Sequence, residues 1–202
     1  MSLVRAIAVG DATLATRLLT ASPSLATTHL EQGATRLEAI DYYLDQINHY
    51  VYAGDTALHV AAASYQPALA RALTKGGADV SARNRRGAQP LHYAADGSPG
   101  SAHWNPDAQA ATVAYLIEAG ADPNAIDGNG VTPLHRAVRT RCAAAVSALL
   151  DGGADPHHQN SHGSMPMTLA TQNSGRGGSG SPESKAQQQE VVRLLELRGA
   201  TA

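Results

Sequence analysis

The stretch GVTPLH at residues 130–135 decides the fold of this chain, because variants of it recur at regular intervals. GDTALH occupies residues 54–59, GAQPLH residues 87–92 and GSMPMT residues 163–168, so that successive copies are 33, 43 and 33 residues apart. Self-similarity at a period of roughly 20 to 50 residues is the signature of a repeat architecture. The chain is therefore predicted to be built from stacked units of one kind.

A second motif closes each unit. Every hexad is followed by an apolar stretch that ends in glycine and alanine, at residues 77–80, 120–123, 153–156 and 199–200. The threonine of the hexad is a good helix N-cap and the proline suits the first helical turn. The glycines are typical of a helix C-terminus. Each unit therefore begins with one helix and finishes with another.

The two motifs resemble those of the ankyrin repeat, whose unit is a β-turn finger followed by two antiparallel helices. This resemblance implies an all-α repeat solenoid in which paired antiparallel helices carry short β-hairpin fingers. In that family the motif histidine, here His59, His92 and His135, hydrogen-bonds to the backbone and ties a repeat to its neighbour. We therefore assign these three histidines a structural role and not a catalytic one.

The whole chain, residues 1–202, is interpreted as a single ankyrin-repeat domain of about five stacked helical pairs, with atypical ends as solenoids require. Apolar residues at helical spacing predict N-terminal capping helices over residues 2–28. The full repeats are predicted at residues 54–86, 87–129 and 130–162, and a C-terminal capping repeat at residues 163–202.

Three insertions interrupt this array. Residues 29–53 are predicted to be a helical insertion, because Thr35 and Glu38 have capping-box spacing and apolar residues follow with helical periodicity. Residues 97–106 and the Gly/Ser-rich residues 173–182 each fall between the two helices of a repeat. Both of these loops are expected to project from the same edge of the stack.

Composition excludes several functional classes. The chain has a formal net charge of −2 and a single cysteine, Cys142, and it contains no long apolar run. We therefore expect a cytoplasmic protein without membrane or nucleic-acid partners, with Cys142 as a small packing residue in a reducing compartment. Because repeats stack within one chain, a monomer is expected. The alanine-rich composition indicates a bacterial source.

No motif for chemistry stands out, which favours a noncatalytic protein without cofactors. The chain contains no nucleophile elbow, no HExxH and no P-loop. The glycines at 175, 177 and 180 have dinucleotide-binding spacing, but a predicted helix, and not a strand, precedes them. His157 and His158 lie on a predicted finger, where adjacent side chains point to opposite faces, so no metal site is predicted.

Clustered arginines carry the leading functional hypothesis. In ankyrin proteins the finger tips and the exposed positions of the first helices line a concave groove that binds partners. By this resemblance the groove residues here are Arg85, Arg86, Tyr93, Arg136, Arg139 and His162. Guanidinium groups bind carboxylates bidentately, so we expect a protein-interaction module, an adaptor or inhibitor, that holds an acidic surface of another protein. The alternative is a solvated set of charges without a partner.

Aromatic residues support a rival hypothesis of another class. In this hypothesis the segment 29–53 and the loop 97–106 close over the groove and form a small-molecule-binding or enzymatic pocket. The residues that distinguish this pocket are His49, Tyr50, His103, Trp104 and Arg176. Tyr93, Arg136 and Arg139 would complete its lining, and His49 or His103 would be its general acid or base.

Overall fold

Ten α-helices in five antiparallel pairs make up the described part of the chain. The computed structural model describes residues 2–35, 37–99, 101, 104–172 and 181–200. The helices are α1 (Ser2–Ala8), α2 (Ala12–Ala21), α3 (Ala57–Ala63), α4 (Pro67–Lys75), α5 (Pro90–Ala95), α6 (Pro106–Glu118), α7 (Pro133–Arg139), α8 (Ala143–Asp151), α9 (Pro166–Thr171) and α10 (Pro182–Leu197). Helices α1, α3, α5, α7 and α9 pack in sequence as one layer, and α4, α6, α8 and α10 form the second. The predicted all-α repeat solenoid is confirmed.

The repeat motifs set the helix boundaries. Thr56 and Thr132 are the N-caps of α3 and α7, and Pro90 and Pro133 are the first residues of α5 and α7. The glycine after the second helix of a pair adopts a left-handed conformation, as Gly120 does at φ +99°. These are the roles that a hydroxyl, a proline and a glycine favour at helix ends.

The motif histidines join neighbouring repeats, as predicted. In each, Nδ1 accepts a backbone N–H at the start of its own helix. Nε2 then donates across the repeat boundary: His59 to the carbonyl of Ala88 at 3.2 Å, and His92 to that of Val131 at 3.0 Å. His135 bonds the carbonyl of Ser164 in the same way, at 3.0 Å. Each ring is thereby held as a neutral imidazole with its proton on Nε2.

The prediction of a helical insertion at residues 29–53 is wrong. The segment forms two 3₁₀ turns, Ile40–Tyr42 and Asp45–Ile47, and a short antiparallel hairpin of β1 (Tyr43–Leu44) and β2 (His49–Tyr50). At its base the amide of Leu30 donates to the carbonyl of Asp55, and that of Ala34 to the carbonyl of Val51. The segment is therefore a long finger, and we call it the extended finger.

The apolar pattern that suggested a helix is not used for burial. Leu37 is 96% exposed and Ile40 85% exposed, so a helix through them would have nothing to pack against. The chain instead buries Leu44 and Val51 against the repeats. Thr35 does accept from the backbone amides of Leu37 and Glu38, as an N-cap would, but no α-helix follows.

The insertion at residues 97–106 lies between α5 and α6, as predicted. The predicted loop at residues 173–182 falls largely outside the described residues, which resume at Ser181.

Cys142 is fully buried as a packing residue, and burial raises the pKa of its thiol to about 12. Every helix in the described ranges is too short or too polar to cross a lipid bilayer.

Candidate functional site

Neighbouring fingers are joined by backbone hydrogen bonds. The amide of Arg85 donates to Ala53, that of Gly128 to Arg86, and that of Ser161 to Asn129, at 2.8 to 3.0 Å. This ladder places the finger tips in a row along one edge of the solenoid. Arg85 and Arg86 lie on the tip next to the extended finger, and His162 lies on an exposed tip two fingers further along.

Arg85 and Arg86 form a cationic patch around one tyrosine. Their guanidinium carbons lie 5.5 and 5.1 Å from the centre of the Tyr52 ring, within cation–π range. Arg86 also donates to the Tyr52 hydroxyl at 3.2 Å, and Arg85 donates to the carbonyl of Ala34. Neither forms an ion pair with a carboxylate of the described residues. We call Arg85, Arg86 and Tyr52 the arginine patch.

The arginines of α7 are arranged differently. The Arg136 guanidinium is 11% exposed and bonds Asp96 at 2.9 Å and Asp127 at 3.1 Å. Arg139 is 42% exposed and lies 3.7 Å from the second oxygen of Asp96. Burial by itself raises the pKa of the Asp127 carboxyl, but backbone amides and Arg136 outweigh it, so that the pKa is below its usual value. Most of the charge of Arg136 is therefore compensated within the protein.

Tyr93 is 2% exposed and belongs to a buried polar network instead of a binding surface. Its hydroxyl donates to Asp55 at 2.8 Å and accepts from the side-chain amide of Asn84 at 2.9 Å. Asn84 also donates to Asp55 at 2.9 Å. Burial and the neighbouring carboxylate of Asp55 raise the pKa of Tyr93 well above its usual value. The phenol therefore stays protonated as a donor to Asp55.

The substitution Tyr93→Phe is expected to lower the free energy of unfolding by about 1.5 kcal/mol, because it removes a donor from a fully buried carboxylate. Urea denaturation at pH 7 measures the change. Tyr50→Phe is the matched control, because Tyr50 is 39% exposed and the same hydroxyl is deleted at the surface. Equal losses in the two variants would contradict the role given to the Asp55 network.

A cavity of about 580 Å³ lies beneath the hairpin of the extended finger. The hairpin and the loop after α5 face each other across it, and the end of α3 and the turn between α1 and α2 complete its wall. Its side chains with aromatic rings or charges are those of Asp45, His49, Tyr65, Tyr93, Asp96 and Trp104. No lysine or arginine is found among the described residues that line it.

His49 is the most unusual group in this cavity wall. Its ring packs edge-on against Tyr93 at 4.2 Å between centroids. His49 is half-buried, and its Nε2 is shut off from solvent without a hydrogen-bond partner among the described residues. Burial lowers the pKa of His49, so the ring is neutral at pH 7. A buried polar atom without a partner is uncommon in folded proteins.

Two neighbouring side chains are fixed by their own bonds. The indole of Trp104 donates to the side chain of Gln109 at 2.8 Å, and the hydroxyl of Tyr65 donates to the carbonyl of Asp96 at 2.6 Å. Tyr65 reaches this position from a backbone with φ +52°, which is rare for a residue other than glycine. The wall of the cavity is therefore preorganised.

Family models for the ankyrin repeat match residues 53–85 and 86–128, and a model for multiple ankyrin repeats matches residues 116–170. Together they span residues 53–170, more than half of the chain. The chain belongs to the ankyrin repeat family. A search of the curated proteins gave no match. Residues 29–52 of the extended finger precede the matched residues.

The predicted site residues separate within the ankyrin fold. Arg85, Arg86, Arg139 and His162 are exposed, whereas Arg136 and Tyr93 are mainly engaged in internal bonds. The cavity brings together His49 and Trp104 with Tyr93. Tyr50 packs on Tyr43 at 4.7 Å and does not line the cavity, and neither do Arg136 and Arg139. His103 and Arg176 lie outside the described residues.

Sequence reasoning missed Asp45, Tyr65 and Asp96 as cavity residues. Asp96 directly follows α5 and Tyr65 lies in the turn after α3, where polar residues are ordinary. Neither position carries a motif. Only the return of the extended finger over the first helices shows that these residues share one wall.

Proposed function

We propose that this protein is a noncatalytic adaptor or inhibitor that binds an acidic segment of another protein through the arginine patch. Ankyrin repeats generally mediate protein–protein interaction, which supports a binding role at the level of the family. The observation that carries the finer proposal is the state of Arg85 and Arg86. Both are exposed, positioned on Tyr52, and without a carboxylate partner among the described residues.

The geometry favours a carboxylate-rich partner. A guanidinium held on an aromatic ring loses less side-chain freedom when it binds, and it can bond a carboxylate with two parallel hydrogen bonds. Arg139 and His162 extend the proposed surface along the concave side. Arg136 contributes to this surface only indirectly. It binds the Asp96 carboxylate, which also lies near the exposed Arg139. We further propose that the protein is cytoplasmic and that it is a monomer, the monomeric state being supported by repeats that bury their faces within one chain.

The double variant Arg85→Glu/Arg86→Glu is expected to bind acidic peptides at least about tenfold more weakly, because two attractive contacts become repulsive. The probes are fluorescent ten-residue peptides rich in glutamate, compared with peptides in which glutamine replaces glutamate. Fluorescence anisotropy at two salt concentrations measures affinity, and binding to the acidic peptides should weaken with salt.

Arg5→Glu/Arg17→Glu is the matched control, because it makes the same charge change at exposed positions of the N-terminal pair. This variant is expected to bind as the wild type does. Equal affinity for the glutamine peptides, or unchanged binding by the Arg85/Arg86 variant, would rule out the acidic-partner proposal. Circular dichroism confirms that both variants keep the helical fold.

A further inference from the structure

The cavity beneath the extended finger has the chemistry of a site for a positively charged ligand. We propose that it binds an organic cation with N–H donors, an ammonium or a guanidinium group. This inference is independent of the arginine patch, which lies on a finger tip and does not line the cavity. A mixed wall of aromatic and polar groups around about 580 Å³ is typical of a small-ligand site.

Charge is the first argument. Asp45 and Asp96 both line the cavity, and no lysine or arginine of the described residues does so. The wall and the charged groups that bond or pair directly with it contain three carboxylates and two guanidiniums, those of Asp45, Asp55, Asp96, Arg136 and Arg139. The local charge is therefore negative, which favours a cation and disfavours a phosphate or carboxylate ligand.

His49 is the second argument. His49 is half-buried and its imidazole is neutral, and the buried Nε2 lacks a hydrogen-bond partner among the described residues. A neutral imidazole has one nitrogen that accepts a hydrogen bond. In the tautomer with its proton on Nδ1, Nε2 is the acceptor, and a rotation of the ring that opens this atom to the cavity would let an N–H of the ligand supply the missing partner. This donor is present in both ammonium and guanidinium groups. A ligand without N–H or O–H donors leaves this acceptor unpaired.

The aromatic wall is the third argument. Trp104 is half-buried in the cavity wall, and aromatic rings attract cations through their negative faces. Tyr93 borders the same cavity but is only 2% exposed, so Trp104 is the aromatic ring that carries this argument. Trp104 is held in place by its hydrogen bond to Gln109, so the indole is already positioned in the cavity wall before a ligand binds. The cation has two possible sources: a free small molecule, or a lysine or arginine side chain of a partner protein.

Fluorescence provides a direct test, because Trp104 is the only tryptophan of the chain and lines the cavity. The full-length protein is titrated with butylammonium and butylguanidinium, and with butanol and butyrate as neutral and anionic analogues of the same length. We expect a saturable fluorescence change with the cations, and at least about tenfold weaker binding of the two analogues. Isothermal calorimetry provides a second readout.

Two variants assign the binding to the cavity wall. Asp45→Asn is expected to weaken cation binding by about threefold to fivefold, as expected for an exposed charge pair. His49→Phe keeps an aromatic ring against Tyr93 but removes the acceptor, and is expected to weaken binding at least about fivefold. Asp41→Asn is the control, because Asp41 is exposed on the extended finger but does not line this cavity.

Capped amino acids distinguish the two sources. Binding of Nα-acetyl-lysine amide or Nα-acetyl-arginine amide as tight as that of the free cations indicates a partner side chain, whereas binding of the free cations alone indicates a small molecule. Either result supports a cation site. The proposal is overturned if no cation produces a saturable change up to about 10 mM, if butanol binds as well as butylammonium, or if both cavity variants bind as the wild type.

Discussion

Acidification from pH 7 to pH 5 is expected to lower the free energy of unfolding by about 2 kcal/mol through His92 alone. His92 is fully buried, and burial lowers its pKa to about 3. Between about pH 6.5 and pH 3 the imidazole of His92 is therefore protonated in the unfolded chain but stays neutral in the folded chain. Stability contributed by this neutral ring is lost progressively as the pH falls from about 6.5 towards 3.

The other buried imidazoles act in the same direction. Burial also lowers the pKa of His59, His135 and His49, so the total loss exceeds the share of His92. Urea denaturation at pH 7, 6 and 5 measures it. His92→Gln is expected to reduce the pH dependence, although it also costs stability at pH 7 because the hydrogen bond to Val131 changes.

His157→Gln is the matched control for this experiment. His157 is exposed on a finger, and the substitution leaves the buried imidazoles in place, so the acid destabilisation should persist. A stability that stays constant between pH 7 and pH 5 would contradict the neutral, interlocking histidines described above.

The second large effect is expected for Arg136→Met, which should lower the free energy of unfolding by about 3 kcal/mol. The guanidinium bonds Asp96 and Asp127 while only 11% exposed. Its removal leaves Asp127 without an ion-pair partner among the described residues and Asp96 with only the more distant Arg139. Methionine fills similar space, so lost packing contributes little. Chemical denaturation at pH 7 measures the difference.

Arg139→Met is the matched control, because Arg139 lies on the same helix and also approaches Asp96. Its side chain is 42% exposed and the separation is 3.7 Å, so the expected loss is below about 1 kcal/mol. If the two variants lose equal stability, Arg136 does not have the structural role that its burial indicates.

The regular part of the fold could be predicted from the sequence because the information is local. A threonine N-cap, a proline at the first helical turn and a closing glycine act within a few residues, and the repeats contain them several times. The inter-repeat bonds of His59, His92 and His135 followed from the family resemblance.

The extended finger could not be predicted in the same way. Thr35 makes the local hydrogen bonds of a helix start, but Leu37 and Ile40 find no surface to bury them. The path of the segment is instead set by long-range bonds such as that from Leu30 to Asp55. Local periodicity contains no information about such partners.

The candidate sites were only partly predictable for a related reason. The sequence showed where the arginines cluster, but it could not show which of them form ion pairs. Arg136 pairs with two aspartates, whereas Arg85 and Arg86 pair with no carboxylate of the described residues. The aromatic and histidine content of the insertions indicated a pocket, but the partners of Tyr93 became visible only in three dimensions.

The two segments that face each other across the cavity are insertions, one in a finger and one between paired helices. The helix stack beneath them keeps its ordinary bonds between repeats. Substitutions in these two surface segments would therefore alter the proposed ligand preference without changing the bonds between repeats. For protein engineering, this means that the two inserted segments can be replaced to change recognition, without redesign of the hydrophobic interior of the array.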